Sequence, residues 1–128
     1  MTQELFEEKA RAKVCSLISC ISGGDFESIS SVAQIDPSWC SEGQTQEEGI
    51  QDFGEWLTKQ LELWSEDYGT EFVVDQFDEE HLSLDPLSDG RSLSEYTPTS
   101  NGEPLDFWFE LELTEEGDDL LLCFNVNI

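Results

Sequence analysis

The feature that most constrains the fold is the alternation of apolar and polar side chains between Asp106 and Ile128. Apolar residues occupy every second position on both sides of a polar, glycine-containing segment at residues 114–119. These positions are Phe107, Phe109, Leu111 and Leu113, and then Leu120, Leu122, Phe124, Val126 and Ile128. A period of two places them on one face of a strand. The pattern therefore predicts an antiparallel hairpin whose apolar face must be covered by the rest of the chain.

The N-terminal half supplies the helices that we expect to cover this face. Residues 5–21 carry apolar side chains at three- and four-residue steps and end at Gly23-Gly24, which predicts a first helix. Asp25 is a candidate cap for a second, shorter helix that runs towards Ala33. Asp36-Pro37 ends this helix, because the residue before a proline avoids helical backbone angles.

A third helix has the clearest beginning of any element. Thr45 and Glu48 have the spacing of a capping box, in which each side chain satisfies a backbone donor at the other residue. An apolar stripe then follows from Ile50 to Trp64, and Gly69 is a plausible terminator. The three helices and the hairpin are the main elements of the predicted fold.

The region between the third helix and the hairpin is less regular. Residues 72–77 and 81–84 predict two short strands, or one bulged strand. Residues 85–104 are rich in Pro, Gly, Ser and Thr, and Ser92–Tyr96 is a candidate edge strand within them. The predicted fold class is α+β, with about three N-terminal helices packed on a curved, mostly antiparallel sheet that ends in the C-terminal hairpin. We expect a single globular domain over residues 1–128.

Charge is the second constraint, since the chain carries 30 acidic and only 5 basic residues, for a formal net charge of −25. Acidic and basic residues balance in the first helix, whereas Arg91 is the only basic residue between Glu62 and Asp119. Such a field repels nucleic acid and anionic membranes and attracts basic proteins or cations. The alternative explanation is general solubility, or adaptation to a salt-rich cytoplasm.

The first residues and the cysteines indicate where the protein is located. The N-terminus is polar and acidic, unlike a signal peptide, and no apolar run approaches the ~20 residues that a membrane span needs. Four cysteines without metal-type spacing are typical of free thiols in a reducing compartment. We therefore expect a cytoplasmic protein that does not bind membranes.

The stretch Gly24-Asp25-Phe26-Glu27, followed by Asp36 and Trp39, resembles the corresponding part of the nuclear-transport-factor-two-like superfamily. This is a cone-shaped α+β fold shared with the SnoaL-like cyclases, and the order of predicted elements here is similar to it. The superfamily includes enzymes, ligand binders and, in bacterial polymorphic-toxin loci, immunity proteins. The resemblance therefore implies a cone fold without choosing between these functions.

Candidates for catalysis and metal binding are few. His81 is the only histidine and lies in an acidic turn, which is more typical of a solvated side chain than of a catalyst. Acid–base chemistry in a cavity would fall to Asp36 or Asp75, each of which follows an apolar residue. The acidic runs at 75–78 and 115–119 do not match a calcium-binding EF-hand loop. We predict no catalytic residue, no metal site and no cofactor.

The predicted hairpin also places an aromatic side chain beside two carboxylates, because Trp108, Glu110 and Glu112 share the face opposite the apolar row. Interfaces are enriched in aromatic anchors, and charges steer the approach of a partner. The predicted partner-binding residues are Trp108, Glu110, Glu112, Asp75, Asp78 and Glu79. The alternative is that Trp108 packs under a helix or the long loop while the glutamates face water.

These features predict a non-enzymatic acidic protein that neutralises a basic protein partner. The most concrete version is an immunity protein that covers the cationic cleft of a toxin, in particular a nuclease, whose cleft is basic because it must hold phosphates. A close variant is a nucleic-acid mimic directed at another nucleic-acid-binding enzyme. The alternative is a cone-fold small-molecule binder or enzyme with a carboxylate-lined cavity. A deep pocket lined by Asp36, Trp39 and aromatics would favour that alternative, and a filled interior would favour the inhibitor.

Overall fold

The structure, a computed structural model, describes residues 1–128 and combines two long α-helices with a five-stranded sheet. The α-helices are α1 (Gln3–Ser22) and α2 (Gln46–Tyr68), and short 3₁₀ helices span Phe26–Ser31, Pro37–Trp39 and Glu79–His81. The strands are β1 (Gln34–Ile35), β2 (Leu82–Ser83), β3 (Arg91–Tyr96), β4 (Thr99–Ser100), β5 (Glu103–Pro104), β6 (Trp108–Glu116) and β7 (Asp119–Asn127). The predicted α+β class, with N-terminal helices on a mostly antiparallel sheet, is confirmed. Neither α-helix contains an apolar stretch that could cross a membrane.

The sheet is organised around the predicted hairpin. Its strand order is β1-β7-β6-β3-β2, and β1 is parallel to β7 while every other neighbouring pair is antiparallel. Strands β6 and β7 pair along their whole length, from Trp108 opposite Asn127 to Glu116 opposite Asp119. Strands β4 and β5 form a separate two-stranded ribbon.

The inner face of the hairpin is the centre of the core, as the alternation predicted. The buried side chains of this face are Phe107, Phe109, Leu111, Leu113, Leu120, Leu122 and Phe124. Val126 is half-buried and Ile128 is 81 % exposed, so the prediction that the apolar row continues to the last residue was wrong there. The strand β7 ends at Asn127, which leaves Ile128 without a neighbouring strand against which to pack.

Helix α2 covers this face, and its Phe53 ring lies at the middle of an aromatic cluster. The ring centroid of Phe53 is 5.3 Å from that of Phe124 and 6.0 Å from that of Phe109. The predicted capping box is present, since Thr45 Oγ1 accepts from Glu48 N and Glu48 Oε1 accepts from Thr45 N. The start of α2 is therefore determined locally, and its position on the sheet is determined by packing.

The second predicted helix is a 3₁₀ helix over Phe26–Ser31 and not an α-helix. Asp25 makes no capping hydrogen bond to the backbone, and its carboxylate accepts instead from Ser28 Oγ at 2.6 Å. Ser31 Oγ donates to the backbone carbonyl of Ser28 at 2.8 Å. Serine side chains that bond to nearby backbone in this way compete with α-helical hydrogen bonding, which accounts for the shorter, tighter element.

The prediction of a strand at residues 72–77 was wrong, and only Leu82–Ser83 of the second predicted strand pairs with a neighbour. The backbone at 72–75 is bonded mainly by side chains: Phe72 N donates to Ser65 Oγ at 2.8 Å, and Val73 N donates to Ser100 Oγ at 3.0 Å. Side-chain oxygens accept the hydrogen bonds of these backbone N–H groups, so no pairing with a neighbouring strand is needed. The apolar pattern alone does not distinguish these two arrangements.

The candidate edge strand at Ser92–Tyr96 is β3, which lies inside the sheet order and pairs with β6 over its full length. The edge next to it is formed by β2. Beyond β3, Asn101 and Gly102 have positive φ values of 52° and 82° and join β4 to β5. Asn-Gly is the preferred pair for a two-residue hairpin turn, so this ribbon had a sequence signal that the interpretation of residues 85–104 as irregular overlooked.

The other edge of the sheet is β1, which the sequence interpretation did not predict. The side chain of Gln46 lies along its outer side: Gln46 Oε1 accepts from Ile35 N at 2.8 Å, and Gln46 Nε2 donates to Ile35 O at 3.0 Å. On the inner side of β1, Asp36 N donates to Phe124 O at 2.8 Å. A single amide side chain therefore satisfies the free backbone groups of this edge.

We predict that Phe109→Ala lowers the free energy of unfolding by about 3–5 kcal/mol, because it opens a cavity in a closely packed aromatic core. Phe109 is fully buried and contacts Phe53, Phe107 and Phe124. Urea denaturation followed by tryptophan fluorescence measures the change. Leu93→Ala is the control, since Leu93 is 59 % exposed on the opposite face of the sheet. A loss below about 1 kcal/mol for Phe109→Ala would show that this face is not the core.

Candidate functional site

The face of the sheet that points away from α1 and α2 is acidic. We call it the outer sheet face, and its central rows are Glu95–Glu110–Asn125 and Leu93–Glu112–Cys123 across β3, β6 and β7. These residues alternate with the buried positions, so no helix covers them. Together with Asp36 and Asp85 they line a surface cavity of about 330 Å³. Five carboxylates therefore surround one concave patch.

The carboxylates of this face are only partly compensated within the protein. Glu112 Oε2 lies 3.2 Å from Arg91 Nη2, and Asn127 Nδ2 donates to Glu110 Oε1 at 2.6 Å. Glu95 has no ion-pair partner. The residue directly opposite it in the β3–β6 ladder is another carboxylate, Glu110. Like charges at directly opposed strand positions destabilise a sheet. The Glu95–Glu110 pair is therefore an unfavourable feature of the free protein.

Cys123 lies on β7, next to Glu112 in the second of these rows. Burial, and then the negative charges of Asp36 and Glu112, raise the pKa of its thiol above the ordinary value. A raised pKa keeps the thiol protonated at neutral pH, and the thiolate is the form that acts as a nucleophile. The cysteines form no disulfide. Cys123 contributes polarity and shape to this face and is a poor candidate for a reactive cysteine.

Trp108, one of the predicted partner-binding residues, lies at one end of the outer sheet face. Its side chain is half-buried, and its indole Nε1 is shielded from solvent without a hydrogen-bond partner. An unpaired buried donor costs about 1–3 kcal/mol. The exposed apolar side chain on this face is Leu93. Sequence reasoning missed it because the register of β3 against β6 was not predicted.

Asp75 holds loops together. Its carboxylate accepts hydrogen bonds from Gly102 N at 2.8 Å, Thr99 Oγ1 at 2.8 Å and Asn101 N at 3.0 Å. Burial opposes ionisation, but these three hydrogen bonds together outweigh it and lower the pKa of Asp75 below its ordinary value. Its oxygens are therefore engaged with the β4–β5 ribbon, which leaves little for a partner or an acid–base role.

Asp78 and Glu79 lie in the 3₁₀ turn beside β2, beyond the strand that carries Glu95. Asp78 Oδ1 accepts from Glu80 N at 3.0 Å, and Asp78 Oδ2 lies 3.9 Å from His81 Nε2. Glu79 is exposed. Of the six residues predicted to bind a partner, the structure thus places Trp108, Glu110 and Glu112 on one face, Asp78 and Glu79 at its margin, and Asp75 in a structural clamp.

The interior offers little space for a ligand. Trp39 packs edge-on against Phe53 at a centroid distance of 5.8 Å and donates from Nε1 to Asn125 Oδ1 at 3.1 Å. Asp36 points to the outer sheet face and accepts from Ser38 N at 2.9 Å. Aromatic side chains fill the space that a central pocket would need. No group of three or more His, Cys, Asp and Glu side chains is arranged to hold a metal ion.

Comparisons of the chain with protein-family models, with curated proteins and with solved structures found no match. The resemblance to the nuclear-transport-factor-two-like superfamily therefore stays a prediction.

We predict that Glu95→Gln raises the free energy of unfolding by about 0.2–1 kcal/mol at low salt, because it removes the repulsion across the strands from Glu110. The gain should shrink as added salt screens the charges. Urea melts at low and moderate ionic strength measure both effects. The matched control is Glu55→Gln, an exposed carboxylate on α2. An equal gain in the control would assign the effect to net charge alone.

A second prediction follows from the depressed pKa of Asp75. Because its pKa is lower in the folded chain than in the unfolded chain, the ionised carboxylate stabilises the fold above the unfolded value of about 4. This contribution is lost as the pH falls through the folded value. Asp75→Asn should therefore destabilise by about 1–3 kcal/mol at pH 7, and by progressively less in acid. Urea melts across this pH range test it, with Glu71→Gln as the control, and a deficit that does not change with pH would contradict the argument.

Proposed function

We propose that this protein is a non-enzymatic acidic binding protein whose outer sheet face covers a cationic surface of a basic protein partner. The observation that carries this proposal is the Glu95–Glu110 pair, in which two carboxylates face each other across neighbouring strands without a cation between them. Such an arrangement costs stability in the free protein. Lysine or arginine side chains of a partner would convert the repulsion into attraction.

The composition of the patch also favours a binding surface over general solubility. Leu93, which is 59 % exposed, and the half-buried Cys123 lie on either side of Glu112 in one row of the patch. Asp36, Asp85 and the glutamates surround these two side chains. Protein interfaces combine apolar side chains with polar and charged ones.

The most concrete form of the proposal is an immunity protein that blocks a toxin, in particular a nuclease. A nuclease cleft is basic because it binds phosphates. The carboxylates of the outer sheet face would bind the same cationic side chains and so compete with the nucleic acid. The net charge of −25 would also accelerate association with a cationic enzyme. A nucleic-acid mimic that blocks another nucleic-acid-binding enzyme would use the same face in the same way.

What supports a binding protein over a cone-fold enzyme or small-molecule binder is the filled interior. Trp39 and Phe53 are in direct aromatic contact, and Asp36 lies on the outer surface of the sheet. Acid–base chemistry requires a carboxylate in a cavity that excludes water. A carboxylate-lined cavity lies instead on the outer sheet face, where it is open to solvent.

The proposal predicts that Glu95→Lys/Glu110→Lys slows association with a basic partner by about tenfold or more, because steering attraction becomes repulsion. Neither glutamate has an ion pair within the protein, and both are exposed, so the fold should be retained. Stopped-flow binding and protection assays against the product of the neighbouring gene measure the effect.

The control for this experiment is Glu8→Lys/Glu55→Lys, which makes the same change in net charge on exposed positions of α1 and α2. An equal loss in both double variants would leave only nonspecific charge. Full protection by the Glu95→Lys/Glu110→Lys variant would place the interface elsewhere and contradict the proposal.

A further inference from the structure

A second cavity, of about 340 Å³, opens between the end of α2 and the β4–β5 ribbon. Trp64 and Tyr68 are four residues apart on α2 and therefore project from the same side of the helix. Phe72 joins them after the turn at Gly69, with ring centroids 6.2 Å from Trp64 and 5.6 Å from Tyr68. Tyr68 is 70 % exposed, and it is the only aromatic among the strongly exposed large hydrophobic side chains. One wall of this cavity is therefore aromatic and open to solvent.

Two carboxylates belong to the same cavity. Glu103 and Asp106 are among its lining residues, and both are exposed. Neither has an ion-pair partner within the protein. The nearest elements in sequence carry further acidic residues and no basic one, since Arg91 is the only base between Glu62 and Asp119. The cavity thus combines aromatic faces with uncompensated negative charge.

The walls of the cavity are fixed by hydrogen bonds between segments that are distant in sequence. Val73 N donates to Ser100 Oγ at 3.0 Å, and Asn101 Nδ2 donates to Glu71 O at 3.0 Å. The clamp formed by Asp75 adds its three hydrogen bonds from the ribbon. Ser100 is buried although it is polar, which is consistent with this structural role. The cavity is therefore formed before a ligand arrives, which lowers the entropy cost of binding.

We propose that this cavity binds the guanidinium group of an arginine side chain presented by a protein partner. A guanidinium stacks on aromatic faces and is attracted to the ring within about 6 Å of its centroid. It also presents donors in a planar fork that matches carboxylates such as Asp106 and Glu103. The cavity volume is near the lower end of ligand pockets, which suits one long side chain. The compact ammonium of lysine would satisfy the charge without the stacking.

The identity of the carrier, a basic protein, rests on the proposed function, whereas the guanidinium chemistry rests on the cavity alone. The two can therefore fail separately. If the capped arginine described below binds but the neighbouring gene product does not, the cavity assignment stands and the proposed partner is wrong. If the partner binds through the outer sheet face and capped arginine does not bind, the proposed partner stands and the cavity assignment is wrong.

The experiment is a titration of the isotope-labelled protein with N-acetyl-arginine-methylamide, followed by NMR, at about 150 mM salt to screen long-range attraction. We expect saturable shifts of the Trp64 indole and of residues 68–72 and 100–106, with millimolar affinity. The citrulline analogue keeps the shape but not the charge and should bind about tenfold more weakly or worse. Equal affinity for the arginine and citrulline analogues, or the absence of saturable shifts with arginine, would overturn the proposal.

Two further arms separate stacking from charge and the protein side chain from the free amino acid. Tyr68→Ala leaves the net charge unchanged and should weaken binding about two- to fivefold, whereas Glu55→Gln, remote on α2, should not. Wild-type affinity in Tyr68→Ala would show that charge alone accounts for binding and would contradict the stacking geometry.

Free L-arginine carries an α-carboxylate and should bind no more tightly than the capped form. Tighter binding of the free amino acid would overturn the proposal that the arginine belongs to a protein partner.

Discussion

The contact between the Phe53 ring of α2 and the inner face of the β6–β7 hairpin is the interaction on which the rest of the structure depends. Phe53 touches Phe109 and Phe124 of the hairpin, and Phe26 and Trp39 from the preceding segments pack on the same ring. One side chain thus joins the helix, two connecting segments and two strands. Because the apolar surface converges on one side of the sheet, the other side is free to carry charge.

The elements that were predicted from the sequence are those whose cause is local. The period of two in the hairpin and the capping box at Thr45 each lie within a few residues and agree with the packing that they lead to. The two-residue strand β1 depends instead on β7, where Ile35 lies opposite Phe124, and the backbone of Val73 depends on the side chain of Ser100. No window of sequence contains those partners. The Asn101-Gly102 turn, in contrast, is a local sequence signal for the β4–β5 ribbon.

The residues of the candidate site also divide into those that a local pattern predicts and those whose position depends on distant parts of the chain. Glu110 and Glu112 were placed correctly on the outer face by alternation alone. Glu95 could not be placed opposite Glu110, because that requires the register of β3 on β6. The indole nitrogen of Trp108 is shielded although the residue lies on the outer face of a strand, and the ring of Tyr68 is exposed at the end of α2. The burial of a side chain at the end of a helix or strand depends on which loops pack against it.

The side-chain amide of Gln46 on β1 has a consequence for how copies of this chain meet. The backbone groups of Ile35 are already satisfied on their free side, and the opposite edge of the sheet, β2, is only two residues long. An edge of this kind gives an incoming strand almost no backbone to extend. Salt that screens the mutual repulsion of these highly charged molecules therefore removes one barrier to self-association without supplying a template for strand-by-strand growth.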